Sequence, residues 1–111
     1  MHRHAVPVEL GDQDLADFLA NCRLPVVIDF YSPSCGPCRS LAPVIDGLAR
    51  RFVGRVVIAK LDTSRHARSA SGYGIRGVPT LLFFRDGKII DQIVGAPPEA
   101  QLTAKIQGLL N

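Results

Sequence analysis

The sequence predicts an α/β protein in which a mixed central β-sheet of about five strands is flanked by four helices on both faces. Short runs rich in β-branched residues alternate with segments whose apolar residues recur at helical spacing. Helical segments separate the first strands, which are therefore expected to be parallel. The pair Asp86-Gly87 indicates a tight antiparallel hairpin between the last two strands. The expected order is β-α-β-α-β-α-β-β-α.

The N-terminal half supplies the first four elements. A short strand at 6–10 precedes a helix capped by Asp12. The apolar face of this helix comprises Leu15, Phe18, Leu19 and Cys22. Residues 26–31 (VVIDFY) are typical of a buried central strand, and the next helix begins at a pair of cysteines. That helix has a continuous apolar stripe: Leu41, Val44, Ile45, Leu48, Ala49 and Phe52.

The C-terminal half continues the alternation. Residues 55–62 predict a second buried strand, and Ser64 is expected to cap a short helix that runs to about residue 71 and ends at Gly72 and Gly74. The two strands of the hairpin are TLLFF and KIIDQIV. Pro98 suits the first position of a last amphipathic helix, whose apolar residues are Leu102, Ile106, Leu109 and Leu110.

Composition limits the function classes. The 111 residues, 47% hydrophobic and 21% charged, suit one domain over 1–111, with 1–5 as a flexible tail. A net charge of +3 without a basic run, and 6% aromatic residues, give little support to nucleic-acid binding. Apolar runs are too short to span a bilayer, and Pro7 and Glu9 interrupt any secretion signal. We therefore expect a cytoplasmic monomer with no nucleic-acid or membrane partner.

The motif Cys35-Gly36-Pro37-Cys38 carries the chemistry. A cysteine pair can be a metal clip, a structural staple or a redox centre, and a cytosolic setting disfavours the staple. A structural zinc site usually needs about four ligands, and a second pair is missing. The remaining soft side chains show no suitable spacing: Cys22, His66, His2 and His4. We expect no metal and a redox role for the pair.

The position of the motif supports this role. Residues three apart in a first helical turn lie roughly 5–6 Å apart, which is within disulfide range. Pro37 stiffens the turn without losing a needed hydrogen bond, and Gly36 lets a partner backbone approach. The positive end of the helix favours the thiolate of Cys35, the form that attacks disulfides.

Longer segments of the chain resemble the thioredoxin family. The resemblance covers nearly the whole sequence and rests on DFYSPSCGPC, on Pro43 in the next helix, and on AKLD, YGIRGVPTLLFF and VGA. It implies a thioredoxin fold and protein-disulfide reduction, with Cys35 as the nucleophile and Cys38 as the resolving thiol. It also implies disulfide-containing target proteins and a flavin- and NADPH-dependent reductase. The expected redox group is the Cys35–Cys38 disulfide, with no bound cofactor.

Further site residues follow from the same resemblance. Asp29, a lone charge in an apolar strand, is expected to accept the Cys38 proton, and burial should raise its pKa. Lys60 resembles the family's buried lysine neighbour, although an ordinary surface-reaching lysine fits as well. Val78-Pro79 resembles the cis-proline loop that pairs with an extended substrate. Gly77 and Gly95 are expected to permit close backbone approach in that groove.

Ser34 departs from the family pattern. Members usually carry tryptophan there, and often another at the position of Tyr31, whereas this chain has none. Loss of that apolar cover bears on partner recognition more than on the redox chemistry. An alternative therefore stays open, in which the chain is a thioredoxin-fold binding subunit with secondary redox activity.

Overall fold

The computed structural model describes residues 5–111 and confirms the predicted fold class and element order. Five strands form one mixed sheet in the order β1-β3-β2-β4-β5. The strands are β1 Val8–Leu10, β2 Val26–Tyr31, β3 Val57–Asp62, β4 Thr80–Arg85 and β5 Lys88–Val94. The helices are α1 Leu15–Asn21, α2 Gly36–Arg51, α3 Ala67–Gly72 and α4 Glu99–Leu109. Of the predicted tail at 1–5, only Ala5 lies within the described residues.

Strands β1, β2 and β3 are parallel, whereas β4 is antiparallel to β2 and β5 to β4. The predicted hairpin is present, and Asp86 and Gly87 both have positive φ, at 54° and 76°. Positive φ at both central residues is what a two-residue hairpin of this twist requires. The last strand therefore runs back beside β4 and brings Gly95 to the end of the sheet where β4 begins.

Two apolar clusters cover the two faces of the sheet. One joins α2 and α4 to alternate residues of the strands, including Val27, Ile58 and Leu81. The other joins α1 to the opposite alternation, including Ile28 and Phe30, with Tyr73 packed against it. Strand β2 lies at the centre of this sandwich and is buried along nearly its whole length. Its continuous apolar pattern reflects burial on both faces.

The cap predicted at Asp12 is wrong. Helix α1 begins at Leu15, and the Asp14 carboxylate accepts a hydrogen bond from the Gly11 backbone N–H at 2.6 Å. The Asp12 carboxylate instead accepts the Ser69 backbone N–H at 2.7 Å. It thereby satisfies one of the N–H groups that the first turn of α3 leaves without a helical partner. Asp12 caps a helix that is distant in sequence, which periodicity alone does not reveal.

The start predicted for the short third helix is also wrong. Ser64 donates its hydroxyl to the Asp62 carboxylate at 2.6 Å, and α3 begins after His66. His66, which directly precedes α3, is half-buried, because its ring packs against Gly11. Its Nδ1 atom accepts the Asp12 backbone N–H at 3.2 Å. The missing side chain of Gly11 makes room for this ring.

Among residues 5–111, none of the helices has the length and apolar character needed to cross a membrane.

Candidate functional site

The cysteine pair lies at the junction of β2 and α2, as the sequence predicts. Cys35 is the residue that caps α2, and its Sγ atom accepts the Cys38 backbone N–H at 3.2 Å. Pro37 lies in the first turn, where a backbone N–H would have no helical partner. The buried strand thus delivers Cys35 to the positive end of a sixteen-residue helix.

The two thiols differ in their surroundings. Both are free in this structure, Cys35 half-buried and Cys38 only 3% exposed. Burial raises the pKa of the Cys38 thiol to about 11, and the neighbouring Cys35 thiol contributes in the same direction. A thiol in this state remains protonated near neutral pH, so it needs a proton acceptor before it can act as a nucleophile.

The loop before β4 faces the cysteines. The Cys35 thiol points to the Val78 carbonyl oxygen at 3.7 Å, and the Val78-Pro79 peptide bond is cis. The Pro79 carbonyl accepts the Gly95 backbone N–H at 2.8 Å, which joins this loop to the end of β5. The structure therefore brings Cys35, Val78, Pro79 and Gly95 to one side of the molecule.

The glycines around the cysteines leave open space. A Cβ atom added at Gly36, Gly77 or Gly95 would meet no other atom of residues 5–111 within 4 Å, neighbours in sequence aside. The close backbone approach expected at Gly77 and Gly95 is therefore not made by another segment of the described residues. Gly95 has a separate constraint, since its φ of +98° is a conformation that side chains disfavour. The surface beside Cys35 is thus accessible to the backbone of another molecule.

Asp29 lies on β2 and is buried, at 1% exposure. Neither of its carboxylate oxygens has a hydrogen-bond partner in the described part of the chain. Loss of solvation raises the pKa of Asp29 to about 7, and the positive charge of Lys60 limits the rise. A buried carboxyl that titrates near neutral pH can accept a proton under working conditions.

Lys60 acts on Asp29 through its charge rather than through an ion pair. The two residues are register partners on adjacent strands. The Lys60 ammonium lies over the Tyr31 ring, 4.5 Å from its centre, and no ion pair with Asp29 within 4 Å occurs in the described residues. The half-buried lysine therefore lowers the cost of ionising Asp29 without occupying its carboxylate.

Ser34 lies next to Cys35 and is exposed. Its hydroxyl is 3.1 Å from that of Ser32, within hydrogen-bond distance. The Pro33 carbonyl, between them, accepts a hydrogen bond from the Arg39 guanidinium at 3.1 Å. The segment before the motif is thus ordered by polar contacts instead of by a large apolar side chain.

Glu9 is a residue near the site that the sequence pattern does not predict to be functional; its carboxylate accepts a hydrogen bond from the Tyr31 hydroxyl at 3.2 Å. Glu9 is also a register partner of Lys60. It lies on β1, which flanks β3 on the side opposite β2. The signal that could have found it is the alternation within β1, which places one acidic residue in the middle of a short strand. Strand order, which the sequence does not specify directly, decides that this acid lies beside Lys60.

The remaining candidates lie apart from the site. Cys22 follows α1, is half-buried, and donates its thiol to the Leu24 carbonyl at 3.6 Å. Across residues 5–111 no group of three or more His, Cys, Asp or Glu side chains could hold a metal ion. His2 and His4 lie outside the described residues.

Comparison with known proteins gives a consistent result. The family model described as thioredoxin matches residues 6–108. Thioredoxin 1 of Synechococcus elongatus is 46% identical over 98 residues, which cover 88% of this chain and 92% of that protein. Thioredoxin of Synechocystis is 38% identical, covering 92% and 95%. The solved structure of an N21Q mutant thioredoxin from Halobacterium salinarum superposes with a TM-score of 0.89 at 34% identity, covering 100% of this chain and 96% of that one.

A dithiol at a helix N-terminus, with a buried carboxyl behind it and an open surface in front, defines a thiol–disulfide oxidoreductase of protein substrates. The family model and the relatives identify the family within this class. The chain belongs to the thioredoxin family. Its activity is the reduction of protein disulfides through the Cys35/Cys38 pair. Members use this internal pair rather than a bound cofactor, and their partners are target proteins and a thioredoxin reductase.

Proposed function

We propose that Cys35 is the nucleophile of this reductase, that Cys38 resolves the intermediate and that Asp29 accepts the Cys38 proton. The observation that carries the assignment is the difference between the two thiols. Cys35 lies half-exposed at the positive end of α2, whereas Cys38 is buried on the side of Asp29 and has a raised pKa. The accessible thiol is suited to attack a target, and the buried thiol to attack its neighbour.

The reaction then has two steps. The Cys35 thiolate attacks one sulfur of the target disulfide, so that a mixed disulfide forms and the target's other sulfur leaves as a thiolate. Cys38 transfers its proton to the Asp29 carboxylate and attacks the Cys35 sulfur. This forms the Cys35–Cys38 bond and releases the second target thiolate. The target gains two electrons, and the protein is left as a disulfide.

The residues around Cys35 are proposed to bind an extended target segment. The backbone at Val78 and Pro79 is the edge against which such a segment pairs, as in strand addition. Open space at Gly36, Gly77 and Gly95 supports this, because a backbone can approach there without meeting side chains. Pro37 and Ser34 are the exposed side chains next to Cys35 that such a segment would contact.

A trapping experiment tests the order of the two thiols. The Cys38→Ser variant is expected to retain a target such as oxidised insulin as a covalent adduct, because the resolving thiol is absent. The Cys35→Ser variant is expected to retain none. Electrophoresis without reductant, followed by mass spectrometry of the linked peptide, measures the adduct. Equal trapping by both variants, or an adduct at Cys38, would contradict the assignment.

The reductase partner is proposed to be flavin- and NADPH-dependent, and Ser34 is proposed to weaken its docking. The Ser34→Trp variant places an apolar side chain beside Cys35, which is expected to lower KM for such a reductase about fivefold, equivalent to about 1 kcal/mol, with kcat unchanged. Loss of NADPH absorbance gives the rates. Ser71→Trp, an exposed serine on α3, is the control and should leave KM unchanged. An unchanged or higher KM for Ser34→Trp would reject this role.

A single domain over 1–111, a monomeric state and a cytoplasmic location stay predictions.

A further inference from the structure

Three charged residues form a row across the sheet. Glu9 on β1, Lys60 on β3 and Asp29 on β2 are successive register partners, so their side chains leave the same face. We call these three residues the charged row. The backbones of Glu9 and Asp29 are about 10 Å apart, because neighbouring strands are about 4.8 Å apart. Strand β4 continues the row with the apolar Leu81.

Tyr31 ties the exposed end of the charged row together. Its hydroxyl donates to both carboxylate oxygens of Glu9, at 3.2 and 3.3 Å, and the ammonium of Lys60 lies on its ring. Burial and the charge of Glu9 raise the pKa of Tyr31 to about 12, so the hydroxyl remains a hydrogen-bond donor across the working pH range. Glu9 is exposed, and without this contact its side chain would be free to extend into solvent.

We propose that Glu9 is a positioning residue for the redox reaction: the Tyr31 hydroxyl holds its carboxylate at the end of the charged row, where it sets the pH range in which Asp29 accepts the Cys38 proton. The inference rests on the proposed role of Asp29. Glu9 touches neither the thiols nor a target. It acts by opposing the charge of Lys60, which would otherwise favour ionisation of Asp29 more strongly.

The other groups around Asp29 do not supply this effect. The titratable groups around Asp29 are Lys60 and Asp62 on β3, Tyr31 on β2, Glu9 on β1, and Cys35 and Cys38 at the start of α2. The other charged groups on this face, Arg85 and Asp91 on the hairpin and Lys105 on α4, contact one another or the end of α4 and do not act on Asp29. Helix α4 contributes apolar side chains to the same core. Asp62 is engaged by Ser64, and the buried Cys38 thiol stays protonated until it reacts. Glu9 is therefore the acidic group that raises the pKa of Asp29, after desolvation.

Glu9→Gln removes the charge and keeps an oxygen that can accept the Tyr31 hydroxyl. We expect the carboxyl titration of Asp29, followed by carbon NMR of the reduced protein, to move down by roughly 0.3–1 pH unit. Tyr31→Phe should give a smaller downward shift, because Glu9 is released into solvent and screened. Glu99→Gln makes the same chemical change at an exposed position on α4 and should give no shift.

The reaction itself gives a second readout. An aromatic disulfide releases one coloured thiolate when Cys35 attacks and a second when Cys38 resolves the adduct, so rapid mixing separates the two steps. In Glu9→Gln the pH midpoint of the second step should move with the Asp29 titration, and the first step should not move. If the Asp29 titration of Glu9→Gln is the same as that of Glu99→Gln, the inference about Glu9 is overturned, and the proton-acceptor role of Asp29 is unaffected. If the Asp29 titration shifts in Glu9→Gln but the pH midpoint of the second step does not, Asp29 is rejected as the proton acceptor. The role of Glu9 in the reaction is then rejected with it.

Discussion

The Cys35→Ser variant is expected to fold normally and to lose protein-disulfide reductase activity, with the rate falling roughly a thousandfold or more, to that of dithiothreitol alone. The thiol is the only group in the first step that can form a bond to target sulfur, and a hydroxyl cannot replace it. Folding is retained because serine is a preferred capping residue, and its oxygen can accept the Cys38 N–H that Cys35 accepts now.

Reduction of insulin by dithiothreitol, followed by turbidity, measures this loss. Cys22→Ser is the matched control, since it makes the same substitution at a half-buried thiol away from the site. It should reduce insulin at the wild-type rate. Circular dichroism of both variants establishes that they are folded. Activity of Cys35→Ser near the wild-type level would contradict the nucleophile assignment.

The sequence predicted most of this site because its parts are local. A strand, a cysteine pair and a helix follow each other directly, so the junction that carries Cys35 can be located from periodicity alone. The lone acidic residue in an apolar strand predicted the burial of Asp29 for the same reason. Its burial at 1% exposure and its raised pKa agree with that expectation.

Contacts that join distant segments were not predictable in this way. The carboxylate of Asp12 has the sequence pattern of a local cap, yet it caps a helix that begins more than fifty residues later. The position of Glu9 beside Lys60 follows only from the pairing of β1 with β3. In both cases the sequence offers several partners of suitable chemistry, and the choice is made by strand order and packing.

The raised pKa of Asp29 also links function to stability. Its pKa is about 7 in the folded protein against an ordinary value of 3.8, so the folded state binds more protons than the unfolded state between these values. Stability therefore falls as pH rises from about 4 to about 7 and stays at the lower level above that. With about 1.4 kcal/mol for each pKa unit, the difference is about 4 kcal/mol.

Asp29→Asn should remove this penalty, because the amide does not ionise. We expect the variant to exceed the wild type in free energy of unfolding by about 2–4 kcal/mol at about pH 9, and by about 1 kcal/mol or less at about pH 4.5. Urea unfolding at the two pH values measures this. Asp46→Asn, an exposed carboxyl on α2, is the control and should change stability little at either pH.

Asp29→Asn should also slow the step in which the Asp29 carboxyl is proposed to accept a proton. Without a proton acceptor behind Cys38, we expect resolution of the mixed disulfide to slow about a hundredfold near neutral pH, while the first attack by Cys35 is largely unchanged. Since hydroxide can replace the lost base, the defect should shrink as pH rises.

A gain in stability of equal size at both pH values would show that packing and not ionisation is responsible for the stability change in Asp29→Asn. Turnover equal to that of the wild type from about pH 6 to 9 would show that Asp29 takes no part in proton transfer.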